Sequence, residues 1–463
     1  MPPGLESGAQ TGLAFSPKDK TGDARIIRQT STPPAWLRPA ALFATVGLLA
    51  ACGGAPEMGE PPVSTNLADT AYEPRPTFKA SALLPADLLE GDLHKIEEAV
   101  ENDGYENRYT IVSDFGTFVA HRTDYVPERV QEVYAIAELN TVTRSEAFAQ
   151  GVAQAATSPF RALKNLATEP VGTVAGVFQG VGALFSQAGE MVAGSRGELE
   201  ESAAKELVGF GEIKREVAEI LEVDPYTTNP VLQQGMGDVS WAGFAGGLSL
   251  APLTAQVGGG VGTALSGLQN SQTLNSLLTS QSPEALRDYN RNILQGFGAG
   301  EEAVDVFINH PWLSPRHETV IVAALAGMDG AENRDAFLAQ VVISESEQQS
   351  AFLMRQAEKM LGFHQNISPV RRLERTNRTV MMLTVDERAV IVLPTDHLIW
   401  SLGASLIADQ ATPPGLEREV WLTGTVSDRA RAEFEQRGWT VMADRLDDLA
   451  PDLDAAIQEN AIP

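Results

Sequence analysis

The residues able to do chemistry are few. The 463-residue chain holds one cysteine, Cys52, and six histidines: His94, His121, His310, His317, His364 and His397. No two histidines are four apart, the helical spacing that aims two imidazoles at one metal. His310 and His317 are seven apart, but Pro311 and Pro315 break any shared helical face. One cysteine excludes a multi-cysteine zinc site and an intrachain disulfide framework. No metal and no cofactor is therefore expected, and no catalytic residue is assigned. Ser249, in Gly247-Leu-Ser249-Leu-Ala251, lacks the second glycine of a nucleophile elbow. Gly296-Phe-Gly298-Ala-Gly300 has the wrong spacing for a dinucleotide loop. Two weaker arrangements remain. Asp396-His397 would complete a hydrolytic set if a serine lay nearby. Gly424-Thr425-Val426-Ser427 sets small residues before a helix, where backbone N–H groups can hold an anion.

The cysteine has the most informative surroundings. Arg25, Arg28 and Arg38 precede an apolar run from Ala40 through Val46, Leu48 and Leu49, which ends in Leu49-Ala50-Ala51-Cys52-Gly53-Gly54. A basic stretch, a short apolar segment and small residues before a cut form a secretory signal. About a dozen apolar residues are too few to span a bilayer, which needs about 20. Leu-Ala-Ala-Cys resembles the lipobox of bacterial lipoproteins. That resemblance implies cleavage between Ala51 and Cys52 and acylation of the cysteine, which then becomes the N-terminus. Each buried acyl CH₂ contributes about 0.8 kcal/mol, so several chains hold a soluble body on a membrane. Gly53 is not the Asp that implies inner-membrane retention in enteric lipoproteins, which favours the outer membrane.

Charge narrows the partners. There are 34 Lys and Arg against 61 Asp and Glu, a net charge of −27. Removing residues 1–51 takes away five basic and three acidic side chains and leaves −29. Such a body is unsuited to nucleic acid, whose phosphates need a basic surface. A mean hydropathy of −0.10 is too low for a polytopic membrane protein. The expected partners are a membrane, through the lipid, and an envelope protein.

The elements that must carry these residues divide into four parts. Residues 1–51 are the signal, with a long polar extension over 1–24. Residues 52–79 hold the lipidated cysteine and a spacer with Pro56, Pro61, Pro62, Pro74 and Pro76. Residues 80–365 read as mainly helical and Gly/Ala-rich. Within them, Leu88, Leu89, Leu93, Ile96 and Val100 predict a helix over 85–100. Runs 109–113 and 117–120 flank Asp114-Phe115-Gly116 as a β-hairpin, and Pro127 opens an amphipathic helix to about Leu139. Residues 145–222 read as helices interrupted at Pro159 and Pro170. Helices are also expected at Ser314–Ala326, 333–342 and 345–361.

Residues 366–463 read as a small α/β domain. Apolar runs 379–383 and 389–393 bracket a turn, then strand 420–423, a helix capped by Ser427 and ended by Gly438, and strand 439–441. The fold class is α+β, mainly α.

Two stretches lack charge: 171–189 and 239–283. The second holds seven glycines between Gly243 and Gly262. Gly243 with Gly247, and Gly258 with Gly262, have the spacing that lets helices approach closely. Buried helix pairs, or a hairpin inserting in a membrane, would both use it.

Residues Tyr109-Thr-Ile-Val-Ser-Asp-Phe-Gly-Thr-Phe118 and Asp224-Pro-Tyr-Thr-Thr-Asn229 resemble segments of an uncharacterised proteobacterial envelope protein family, over roughly 85–365. That resemblance implies no activity and assigns no catalytic residue. The reading is thus a lipid-anchored envelope protein that binds or scaffolds. A pore-like protein using 239–283, and more weakly a hydrolase, are the alternatives.

Overall fold

A computed structural model describes residues 71–157, 209–250, 253, 272–376 and 379–460. Cys52, Ala51, residues 171–189 and most of 251–271 lie outside the described residues. The fold is α+β and mainly α.

The first described strand, β1 (Thr77–Lys79), leads through short helices α1 (Ala80–Leu83) and α2 (Ala86–Leu89) into β2 (Lys95–Ile96), β3 (Ala99–Asn102), β4 (Asn107–Ser113) and β5 (Gly116–His121). These five strands form one antiparallel sheet with β4 at its centre. The expected hairpin is present, with Ser113 opposite Gly116.

The helix expected over 85–100 is not. It stops at Leu89, and Gly91 turns the chain by donating its N–H to His94 O at 2.9 Å. Beyond the turn, burial alternates over Ala99–Asn102, with Glu101 outward and Val100 inward. A period of two wins because pairing with β1 and β4 satisfies backbone groups that a lone, Glu-rich turn of helix would leave to water.

The spacer expected to run to residue 79 also ends early. Tyr72 packs against the C-terminal core, and residues 77–79 pair with 99–101.

Helices follow: α3 (Val126–Thr143), α4 (Glu146–Thr157), α5 (Phe210–Ile220), α6 (Pro230–Gly246), α7 (Gln272–Ser280), α8 (Pro283–Gly296), α9 (Glu301–Ile308), α10 (Pro315–Gly327), α11 (Ala336–Val341) and α12 (Glu347–Asn366). Their starts follow ordinary capping chemistry. Asn229, Ser282 and Ser346 each accept a first-turn N–H, and Ser314 and His317 form a reciprocal capping box. The close approach expected of Gly243 and Gly247 falls to another glycine of α6: Gly246 lies so close to α4 that an added Cβ would sit 1.9 Å from Gly151 O. Gly243 faces Ile213 of α5, while Gly247 takes the left-handed C-cap at φ 67°.

The C-terminal sheet is built from β6 (Val370–Arg375), β7 (Val380–Thr384), β8 (Arg388–Leu393), β10 (Glu417–Leu422) and β12 (Trp439–Met442), in the order β12-β10-β8-β7-β6. Strands β8, β10 and β12 are parallel, with α13 (Leu402–Ala408) and α14 (Asp428–Gln436) as crossovers. A two-residue pair, β9 (His397–Leu398) with β11 (Thr425–Val426), extends the loops after β8 and β10. Helix α15 (Leu453–Glu459) closes the described chain. One apolar cluster runs across residue 366: Met360, Leu361 and Phe363 of α12 share it with Leu373, Val390, Val392 and Trp421 of the sheet.

Candidate functional site

Loops at the carboxyl ends of parallel strands are where open α/β sheets place ligands. Here those loops hold Asp396, His397 and Gly424–Ser427. Asp396 accepts the backbone N–H groups of Asn107 at 2.8 Å and of Thr123 at 3.1 Å. In return, Tyr105 O accepts from Asp396 N, and Gly104 O accepts from Ile399 N. The turns before β4 and after β5 therefore fill the crevice. Burial raises the Asp396 carboxyl, while the bonds from Asn107 and Thr123 oppose that shift. His397 Nδ1 meets Thr425 Oγ1 at 2.6 Å, and its ring lies edge-on to Phe78.

The helix start at Gly424–Ser427, a strand-to-helix loop whose N–H groups could hold an anion, is occupied from within. Ser427 Oγ donates to Glu73 Oε2 at 2.6 Å while accepting the N–H of Ala430. Glu73 also accepts from Trp400 N, and its own N–H donates to Trp400 O at 2.8 Å. Arg429 donates to Ala71 O at 2.7 Å. A carboxylate at a helix N-terminus is the favourable choice of charge, and the chain supplies it.

Ser249 follows the C-cap of α6, with no strand before it. The histidines scatter. Nε2 of His94 meets Leu88 O at 3.0 Å; Nδ1 of His364 accepts from Val370 N at 3.0 Å. His317 serves its capping box, and burial aided by Arg316 pushes it down to about 4. Among the described residues no cluster of His, Cys, Asp and Glu could hold a metal.

What tertiary packing does assemble is a buried charged seam between η-turn 123–125, α3, α12 and the 224–229 turn. At one end, Glu132 of α3 accepts from Arg129 at 2.5 Å, from Asn229 Nδ2 at 2.9 Å and from Thr227 Oγ1. Arg129 lies over the Tyr125 ring at 5.0 Å. Asp224 sits 3.9 Å from Arg316, and burial lifts its carboxyl to about 6. At the other end, Arg122 Nε donates to Asp124 at 2.7 Å and Nη1 reaches Glu106 at 3.5 Å. Gln348 of α12 donates to Glu106 at 3.1 Å. Arg355 donates to Glu358 at 2.9 Å and stands 3.8 Å from Asp124.

Environment splits the carboxyls. Burial lifts Glu106 to about 7 despite Arg122. Burial also opposes the charge of Asp124, but Arg122 and Arg355 outweigh it and hold that carboxyl well below the usual range. Such a split is what acid–base sites use, and equally what a buried ionic joint produces. Two shallow clefts lie elsewhere. One, of about 340 Å³, is bounded by Ile213, Gly243 and Leu248; the other, of about 480 Å³, by Phe297, Asp329 and Arg334. Neither contains a residue of the seam.

Of the seam residues, only Asp224, Thr227 and Asn229 lie in a segment that the sequence singles out, Asp224-Pro-Tyr-Thr-Thr-Asn229, and nothing there marked them as partners of buried charges. Helical spacing does not reveal them either: Leu353, Met354, Ala357, Met360 and Leu361 share one side of α12, whereas every residue from Gln356 to Phe363, Glu358 and Lys359 included, is buried by the elements packed around it. No protein family, curated protein or solved structure matches the chain.

Proposed function

We propose that the chain is a lipid-anchored protein of the bacterial cell envelope, held at the outer membrane through Cys52 and acting by binding or scaffolding. The observation that carries this reading is Leu49-Ala50-Ala51-Cys52, the chain's only cysteine, directly after a basic and apolar signal. The non-catalytic part is supported by the strand-end loops. Asp396, the best candidate for a hydrolytic set, is committed to two backbone N–H groups, and the crevice around it is filled by residues 104–107 and 123.

The pore-like alternative is less well supported. Val239, Trp241 and Ala242 at one end of the charge-free run, and Leu274 and Leu278 at the other, are buried in the body. Insertion would have to withdraw α6 and α7 from their packing. Among the described residues, no helix is long and apolar enough to cross a membrane.

The test is fractionation of cells making the wild-type chain or Cys52→Ser, with labelled palmitate supplied. The expected result is label and envelope association for the wild type, and neither for the variant. A Cys52→Ser chain that matures and sediments with envelopes as the wild type does would overturn the reading.

A further inference from the structure

Three helices end at one cleft. Gly296 closes α8, Gly327 closes α10 and Glu459 closes α15, and all three line the hollow of about 480 Å³ bounded by Phe297, Asp329 and Arg334. A helix carries partial negative charge at its C-terminus. The charged side chains of the lining are Asp329, Glu459 and Arg334, two carboxylates to one cation. His364 feels both Asp329 and Arg334, but burial lowers it, so it adds no charge at neutral pH.

Arg334 shows what these walls accept. Its guanidinium lies over the Phe297 ring at 4.4 Å, and Nη1 donates to Leu325 O and Ala326 O at 3.1 Å each, carbonyls of the last turn of α10. A ring face and helix-end carbonyls are both partners of a cation. Arg334 is spent on them and leaves the carboxylates beside it unmet. Among the described residues, neither Asp329 nor Glu459 takes part in an ion pair or a side-chain hydrogen bond.

We propose that this cleft binds a small organic cation, an alkyl chain ending in an ammonium or guanidinium group, with Asp329 and Glu459 as its counter-charges. Ile293 and Ala326 offer apolar wall to the alkyl chain. Asn292 and Asn460 offer amide oxygens to its N–H groups, since Asn460 uses only its Nδ2, toward Ala456 O at 2.8 Å. The volume falls within the range of about 300–1,000 Å³ that small-molecule sites occupy. An organic cation fits better than a metal ion, because among the described residues no group of acidic and histidine side chains could hold a metal.

The test is equilibrium dialysis of the intact chain in detergent against labelled agmatine, which carries a guanidinium and an ammonium on one butyl chain. Sodium chloride at about 0.15 M screens diffuse attraction to the acidic chain. The expected result is saturable uptake of one agmatine per chain. Asp329→Asn with Glu459→Gln is expected to weaken it roughly tenfold or more and to melt as the wild type does, since both side chains are exposed. Asp92→Asn with Glu97→Gln removes the same charge from exposed positions in the N-terminal part and is expected to bind as the wild type. Uptake that never saturates, or that both double variants lose alike, would overturn the proposal. So would an Asp329/Glu459 variant that binds undiminished, or competition by tetramethylammonium, which has no N–H, as strong as that by unlabelled agmatine.

Discussion

Asp396 Oδ2 accepts the N–H of Asn107 at 2.8 Å, across 289 residues of sequence. The same carboxylate takes the N–H of Thr123, so one side chain of the C-terminal loops fixes both the entry to β4 and the exit from β5. Asp396→Ala leaves two buried N–H donors without acceptors, at about 1–3 kcal/mol each. The expected outcome is a loss of roughly 2–5 kcal/mol in denaturant unfolding. His397→Ala removes one hydrogen bond and one ring contact, with an expected loss of about 1 kcal/mol. A catalytic pair would show the opposite pattern, loss of activity at unchanged stability.

Glu73 holds the N-terminal strap against the C-terminal core through Trp400 and Ser427. Glu73→Ala leaves Trp400 N without its acceptor and removes the anion from the start of α14. Residues 71–79 are then expected to become sensitive to limited proteolysis, while cleavage beyond residue 126 stays as in the wild type. Equal protection of 71–79 in both chains would show that Tyr72 and the β1–β3 pairing suffice.

Gly246 and Gly296 are both helical but differ in what surrounds them. A Cβ at Gly246 would meet Gly151 O at 1.9 Å, backbone against backbone, whereas at Gly296 it would meet nothing within 4 Å. Gly246→Ala must push α4 from α6 and is expected to cost about 1–3 kcal/mol or more. Gly296→Ala is expected to be neutral or to gain up to about 1 kcal/mol through helix propensity and a stiffer unfolded chain. Melting curves of the two variants check the pair together.

The pH dependence of stability has two limbs of opposite sign. Burial raises folded Glu106 from 4.5 to about 7, so the folded chain holds a proton that the unfolded chain has released. Its contribution is complete below 4.5 and is lost as pH rises through 7, with a slope of up to about 1.4 kcal/mol per pH unit. Arg122, Gln348, Asp103 and Asp396 are the groups that face it. Buried His317 is lowered from 6.5 to about 4, so the unfolded chain binds the proton first and stability falls as pH drops from 6.5 toward 4. Glu106→Gln is expected to flatten the alkaline limb between pH 5 and 8 and leave the acid limb in place. Urea midpoints measured across that range check this.

Local chemistry was legible wherever a short stretch decides its own structure. The hairpin around Asp114-Phe115-Gly116, the caps at Ser314 and Ser427, the stop at Gly438 and the apolar strands of the C-terminal sheet all follow from turn geometry, side-chain caps and runs of β-branched residues. So does the α+β class. The segment 85–100 differs from its sequence pattern: its apolar spacing fits a helix, and only the neighbouring strands β1 and β4 make pairing the better use of its backbone.

The sequence by itself determined the charge, the absence of a multi-cysteine framework and the isolation of Cys52 behind an apolar run. Tertiary structure alone decided which charges are buried. Asp124, Arg122 and Glu106 lie more than 200 residues from Arg355, Gln348 and Lys359, and nothing local distinguishes them from solvated side chains. Whether a carboxylate or an ammonium finds a counter-charge depends on which helix stripe is pressed against which turn, and that is settled only when the apolar faces around them close.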